Sequence, residues 1–146
     1  MNKINEKCIF CKIINKTLPN AIIYEDDKFL AFLDKYPISY GHSLVIPKVH
    51  FDNILEMPPD LVGEMYTLVP QIARAIITSI NGNGFNISQN NGRSANQIIP
   101  HVHVHIIPRF QLEKNKGQWP MRKIANMDEL KDLASNIIAN IKILNF

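Results

Sequence analysis

"IIPHVHVHIIPRF", residues 98–110, alternates imidazole and aliphatic side chains, and three of the chain's five histidines stand in it. Side chains along an extended strand point to opposite faces in turn. His101, His103 and His105 therefore share one face, while Val102, Val104 and Ile106 share the other and pack on a core. Each imidazole titrates near neutral pH, and like charges at this spacing repel. The pattern suits chemistry in which the rings hold different protonation states. A neutral imidazole attacks; another, protonated or donating a hydrogen bond, holds an anion or protonates a leaving group. A metal-binding strand or a polar sheet edge is the alternative reading. Just upstream, "NNGRSANQ" (90–97) offers amides, a glycine and backbone N–H groups that can cradle an oxyanion. By itself it also reads as an ordinary hydrophilic turn.

Working outward, "FNISQ" (85–89) precedes that loop as a strand, and no crossover separates it from the histidine strand. "AIIYEDD" (21–27) and "KFLAFLD" (28–34) are β-rich runs around an acidic turn, a hairpin. "KYPISYGH" is a loop and "SLVIP" (43–47) another strand. "CKIINKTLP" predicts a short helix stopped by Pro19. "PPDLVGEMYTLVPQIARAIITSI" (58–80) predicts the long helix, with Leu61, Met65, Leu68, Ile72 and Ile76 on one face. Pro70 should kink or break it, and the glycines of "NGNG" should end it. "ANMDELKDLASNIIANIKIL" (125–144) is a terminal helix whose Asn126 and Glu129 are placed as a capping box. The sum is the α+β class: about five antiparallel strands with helices on one side.

Composition narrows the function classes. At 146 residues, 46% hydrophobic and 20% charged, the sequence suits one globular domain, 1–146, with no linker or repeat. A net charge of +3 without a dense basic tract argues against a nucleic-acid partner. The mildly basic stretch of Lys114, Lys116, Arg122 and Lys123 reads as solvated surface. No apolar run is long enough to span a membrane. "MNKINEKCIFCKIINK" lacks the apolar core of a signal peptide, so the cytoplasm is the expected compartment. There, Cys8 and Cys11, three apart, read as metal or redox chemistry before a structural disulfide.

Three segments then resemble one family in the right order. "CIFCKIINKTLPNAIIYEDDKFLAFLD", "YPISYGHSLVIPKVH" and "NNGRSANQIIPHVHVHIIPR" are similar to the opening, the Gly-His-x-Leu-Val-Ile-Pro segment and the catalytic strand of the histidine-triad (HIT) superfamily. The resemblance covers a core of 8–110. It implies a nucleotide hydrolase acting at the α-phosphate, with His103 as the nucleophile that becomes a covalent nucleotidyl-histidine. His105 holds the phosphate or assists the leaving group, and His101 supports the geometry. Asn90 and Gln97 meet the phosphate or ribose, and Asp34 accepts from ribose hydroxyls. Ile9, Phe10, Ile13, Leu18 and Phe32 form the base wall. Without the family, Asp34 reads as a turn cap and the apolar set as core. Two departures stand out. Ile98 occupies a position where the family often has Ser or Thr near the phosphate, and Asn96 stands where Gly is common.

The third histidine favours the hydrolase branches over the transferase branch. The small Hint-like branch, which cleaves purine nucleoside phosphoramidates (AMP or GMP derivatives) and acyl-nucleotides, fits best. A Fhit-like dinucleoside-polyphosphate hydrolase and a non-catalytic nucleotide-binding regulator are the alternatives. The resemblance also implies a structural zinc on Cys8, Cys11, His50 and His101, with none needed for catalysis; free thiols and redox chemistry remain open. A zinc-bound His101 would leave the catalytic work to His103 and His105. His42, in "YGHSL", fits either a structural or a nucleotide-proximal role. The family implies a homodimer, and residues 111–146, including Trp119, extend beyond its minimal core as an expected cover for the partner's site.

Overall fold

Asp26 closes the first hairpin: its carboxylate accepts the N–H groups of Lys28 and Phe29 at 2.8 and 2.7 Å. The strands either side are β1 (Ile22–Glu25) and β2 (Phe29–Leu33), followed by β3 (Ser43–Pro47), β4 (Gly84–Ser88) and β5 (Val104–Arg109). They form one antiparallel sheet in the order β1-β2-β3-β5-β4 in a computed structural model that describes residues 5–112 and 122–146. Trp119, Lys114 and Lys116 lie outside the described residues. No helix among those described is long and apolar enough to cross a membrane.

Every residue of β2 and β3 is buried, which means that both sheet faces are covered. One face presents Phe29, Ala31, Leu33, Val45, Val104 and Ile106 to α2 (Pro59–Ile80) and α3 (Met127–Leu144). Met65, Leu68, Ile72 and Ile76 of α2 and Leu133 and Ile137 of α3 complete this cluster. The opposite face presents Leu30, Phe32, Leu44 and Ile46 to a six-residue helix, α1 (Ile9–Ile14). The two long helices thus share one side as the sequence predicts, and the short one takes the other. The functional site forms on that second side.

Several boundaries differ from the sequence reading for local reasons. Helix α1 ends at Asn15, well before Pro19. Helix α2 runs unbroken through Pro70. That proline lies on the exposed side, where water can take the carbonyl its missing N–H leaves behind. Asn81, not a glycine, ends the helix in the left-handed conformation at φ 55°, which Asn adopts more readily than other non-glycine residues. Strand β5 begins at Val104, so His101 and His103 precede it, with His101 at a bend whose N–H returns to the Ile99 carbonyl. At α3 the Asn126 side chain accepts the N–H groups of Asp128 and Glu129, capping the helix.

Ile137→Ala should cost about 2–5 kcal/mol of unfolding free energy, and Asn126→Ala about 1 kcal/mol. Urea denaturation of both variants measures whether α3 is part of the cooperative core; an Ile137→Ala loss under half a kcal/mol would say that it is not.

Candidate active site and metal centre

Between α1 and the loop before β5 lies a cavity of about 740 Å³, within the usual range for small-molecule sites. One wall is apolar: Ile9, Phe10 and Ile13 of α1, with Leu18, Phe32 and Leu44. The other is polar: Asp34, Ser88, Asn90, Asn96, His103 and His105. Lys35, Ile98 and Arg122 also reach it. The edge of Phe10 packs on His103, ring centroids 5.1 Å apart, and His103 packs edge-on to His105 at 4.9 Å.

A neutral imidazole has one N–H and one lone pair, and each buried ring here has a partner that decides which nitrogen carries which. His103 donates Nδ1–H to the carbonyl of His101 at 2.7 Å, so its lone pair is on Nε2. His42 Nδ1 accepts the Ile38 N–H at 2.9 Å, so its proton is on Nε2 and is donated to His105 Nδ1, also at 2.9 Å. His105 in turn carries its hydrogen on Nε2. Burial makes the charged forms costly. It pushes His105 down to about 3 and His42 down to about 2, with further lowering of each by the other charges nearby. Burial lowers His103 too, opposed by its bond to the His101 carbonyl. All three are neutral at physiological pH: His103 has a lone pair to give and His105 an N–H.

Asp34 follows β2 at the rim of this polar wall. Its Oδ1 accepts the Tyr36 N–H at 2.8 Å. Arg122, from the segment before α3, donates Nη1–H to Oδ2 at 3.1 Å. Burial raises the Asp34 pKa, while the Tyr36 N–H and Arg122 hold it down. His42 Nε2 lies 3.5 Å from Oδ2 but 2.9 Å from His105 Nδ1, and the shorter contact takes its proton. That proton also argues against a metal bound by Asp34, His42 and His105, which converge here, because His42 has no lone pair left to offer.

A second cluster lies behind the first. Cys8 Sγ is 3.5 Å from His101 Nδ1, Cys11 Sγ is 3.7 Å from the same nitrogen, and Cys11 Sγ is 3.4 Å from His50 Nδ1. His101 donates Nε2–H to the Pro47 carbonyl and His50 donates Nε2–H to Asp52, both at 2.8 Å. Both Nδ1 atoms therefore carry lone pairs toward the sulfurs. A tetrahedral ion with zinc-like bond lengths would separate S from N by about 3.5 Å, and the three spacings bracket that value. Burial pushes the Cys11 thiol up to about 11, so that sulfur needs a nearby cation to become a thiolate. The donor set fits a closed four-coordinate metal centre.

The sequence-derived site residues divide accordingly. His103, His105, Asp34, Asn90, Ile9, Phe10, Ile13, Leu18 and Phe32 meet at the cavity. His101 is fully buried in the sulfur cluster. Gln97 does not line the cavity. Its amide N–H groups go to the Asp52 and Ile99 carbonyls and its oxygen accepts the Gly92 N–H, which braces the loop. Asn90 donates to the Asn96 carbonyl at 3.3 Å. Asn96 itself sits at φ 66°, the left-handed region where glycine is most at ease, and Asn next. Arg122, which the sequence reads as solvated surface, instead pairs with Asp34 at the cavity, and Ser88 reaches the site without belonging to any local motif.

The depressed histidines have a stability consequence. An unfolded His titrates near 6.5, so acid favours the unfolded chain as soon as pH falls below that value, and the loss is complete only below the folded pKa. His42 and His105 therefore contribute stability that is present above about pH 6.5 and lost as pH falls toward about 3 for His105 and about 2 for His42. The urea midpoint should be level from pH 7 to 8 and decline from 6.5 to 5, and the decline should be shallower in His105→Gln. An equal decline in that variant would remove His105 from the account.

Comparison with known proteins agrees with this geometry. The HIT domain matches residues 15–112. The chain is 46% identical over 106 residues to an adenylylsulfatase of Arabidopsis thaliana; that match covers 73% of this chain and 54% of the plant protein, so the chain spans about half of that relative. It is 40% identical over 136 residues to an adenosine 5′-monophosphoramidase of Schizosaccharomyces pombe, covering 92% of this chain and 98% of the other. A solved structure of a Zn-bound histidine triad family protein from Mycobacterium smegmatis superposes with a TM-score of 0.82 at 33% identity, covering 94% and 95% of the two chains. With a triad strand, a nucleotide-sized cavity and these relatives, the chain belongs to the HIT domain family.

Proposed function

We propose that the protein is a hydrolase that cleaves purine nucleoside phosphoramidates or acyl-nucleotides at the α-phosphate, through a covalent nucleotide on His103. The observation that carries this reading is the His103 tautomer: Nδ1–H is committed to the His101 carbonyl, and Nε2 keeps its lone pair in a ring that lines the cavity. The base lies against Phe10, Ile13 and Phe32, and the ribose hydroxyls donate to Asp34, displacing or sharing the Arg122 contact. The His103 lone pair attacks phosphorus and the bond to the leaving group breaks. His105 Nε2–H holds a phosphate oxygen, and the leaving amine takes up a proton from solvent. Water then attacks the nucleotidyl-imidazole and returns one proton, releasing the nucleotide and neutral His103. Relatives named as a monophosphoramidase and an adenylylsulfatase support this class of substrate. A non-catalytic nucleotide-binding role is the second reading, favoured by Ile98, which is 73% exposed and brings hydrocarbon to the cavity.

Zinc is the ion we assign to Cys8, Cys11, His50 and His101, on the S–N spacings and the Zn-bound relative. It would tie α1 to the sheet beside the triad; the ion has no part in the steps above. A homodimer is the assembly we assign. Strand β4 is an open sheet edge, and it carries Phe85 and Ile87, each 43% exposed, with Tyr66 of α2 also partly exposed. Uncovered edges of this kind invite pairing.

Wild type should release AMP from adenosine 5′-phosphoramidate, and His103→Ala, folded by circular dichroism, should lose at least about 10³-fold in kcat/KM, roughly 4 kcal/mol. Quenching in alkaline denaturant, which spares the acid-labile P–N bond, should trap an AMP adduct on His103; binding of AMP without adduct or turnover on phosphoramidate, acyl-AMP or a dinucleoside polyphosphate would establish the regulatory reading instead. Native mass spectrometry should show two chains and one zinc per chain. Cys11→Ser should lose the metal.

A further inference from the structure

We propose that Ser88 is a ligand-binding residue of this cavity, its hydroxyl donating to a phosphate oxygen of the bound nucleotide beside His105. The inference rests on the nucleotide reading above and names a phosphate contact within it. Strand register places it there: His105 of β5 pairs with Ser88 on β4 and with Leu44 on β3. Directly opposed residues share a face of the sheet with their Cβ atoms about 5 Å apart, and Leu44, His105 and Ser88 all line the cavity.

The Ser88 hydroxyl is buried and has no hydrogen-bond partner, the only side-chain oxygen or nitrogen in that state among the described residues. A buried hydroxyl that makes no hydrogen bond is a standing cost to the folded chain, which native structures rarely carry without a use for it. Of the amides nearby, Gln97 lies off the cavity with its N–H groups on the Asp52 and Ile99 carbonyls, and Asn90 gives one of its two N–H groups to the Asn96 carbonyl. Ile98 offers only hydrocarbon. A phosphate seated for attack by His103 needs donors, and on this row the chain presents two side by side: the Ser88 O–H and the His105 Nε2–H. Ligand binding would satisfy a buried hydroxyl that folding leaves unmet.

The two roles of the hydroxyl predict opposite signs for Ser88→Ala. Calorimetric titration of the full chain should show AMP binding weakened about tenfold, equivalent to about 1.4 kcal/mol, with adenosine, which lacks the phosphate, changed less than twofold. The melting temperature of the ligand-free variant should be equal to or above that of wild type, because an unmet polar group has been removed. Equal weakening of AMP and adenosine, or unchanged AMP affinity, would overturn the proposal. So would a lowered ligand-free melting temperature without a selective loss of AMP, since that is what a merely structural hydroxyl gives. A wild type that binds AMP without turnover, with the selective loss present, fails the hydrolase reading and keeps this one; a wild type that binds neither ligand overturns both.

Discussion

Where a buried histidine keeps its single proton governs the chemistry of this chain. In water an imidazole exchanges tautomers freely, but inside a protein each nitrogen must face a donor, an acceptor or a metal. Four of the five buried rings are set by the backbone or by a neighbouring carboxylate. The His101 carbonyl holds His103, the Ile38 N–H holds His42, the Pro47 carbonyl holds His101, and Asp52 holds His50. His105 is set at one remove, through His42. The nucleophile, the phosphate-facing donor and the two metal-facing lone pairs of the proposed function all rest on those contacts.

One consequence is that the triad serves two sites. His101 lies only two residues before His103, yet its ring belongs to the sulfur cluster while its backbone carbonyl accepts from the His103 ring. The same residue orients the His103 ring through its main chain and joins the sulfur cluster through its side chain. Neither site can shift along the sheet without moving the other, and the antiparallel pairing of β5 with β3 and β4 holds both in register.

Much of this was legible in the sequence because it is local. The His–Val alternation gave the shared face, the Cys8–Cys11 spacing gave two sulfurs, and the apolar spacing in 61–76 gave the buried side of α2. What was not legible depends on contacts far apart along the chain. His42 meets His105 across 63 residues, and Arg122 meets Asp34 across 88. No local pattern marks either pair. Ser88 lies in an unexceptional strand and gains its interest only from the residue paired with it. Gln97 shows the reverse: an amide beside the triad points to phosphate by position, but two nearby carbonyls and an N–H claim it. Pro70 likewise reads as a break until its exposed setting is seen.

The short helix α1 has a further implication. Cys8 and Cys11 give it one set of obligations and Ile9, Phe10 and Ile13 another, while Phe10 also touches the rings of both His101 and His103. Of its six residues and their cap, Lys12 and Ile14 alone belong to neither site, and Phe10 serves both. Evolutionary drift in this segment would then be confined to those two positions, and variation in the apolar wall of the cavity would fall first to half-buried Leu18, beyond the helix, because Phe32 is buried in the same cluster as the two cysteines.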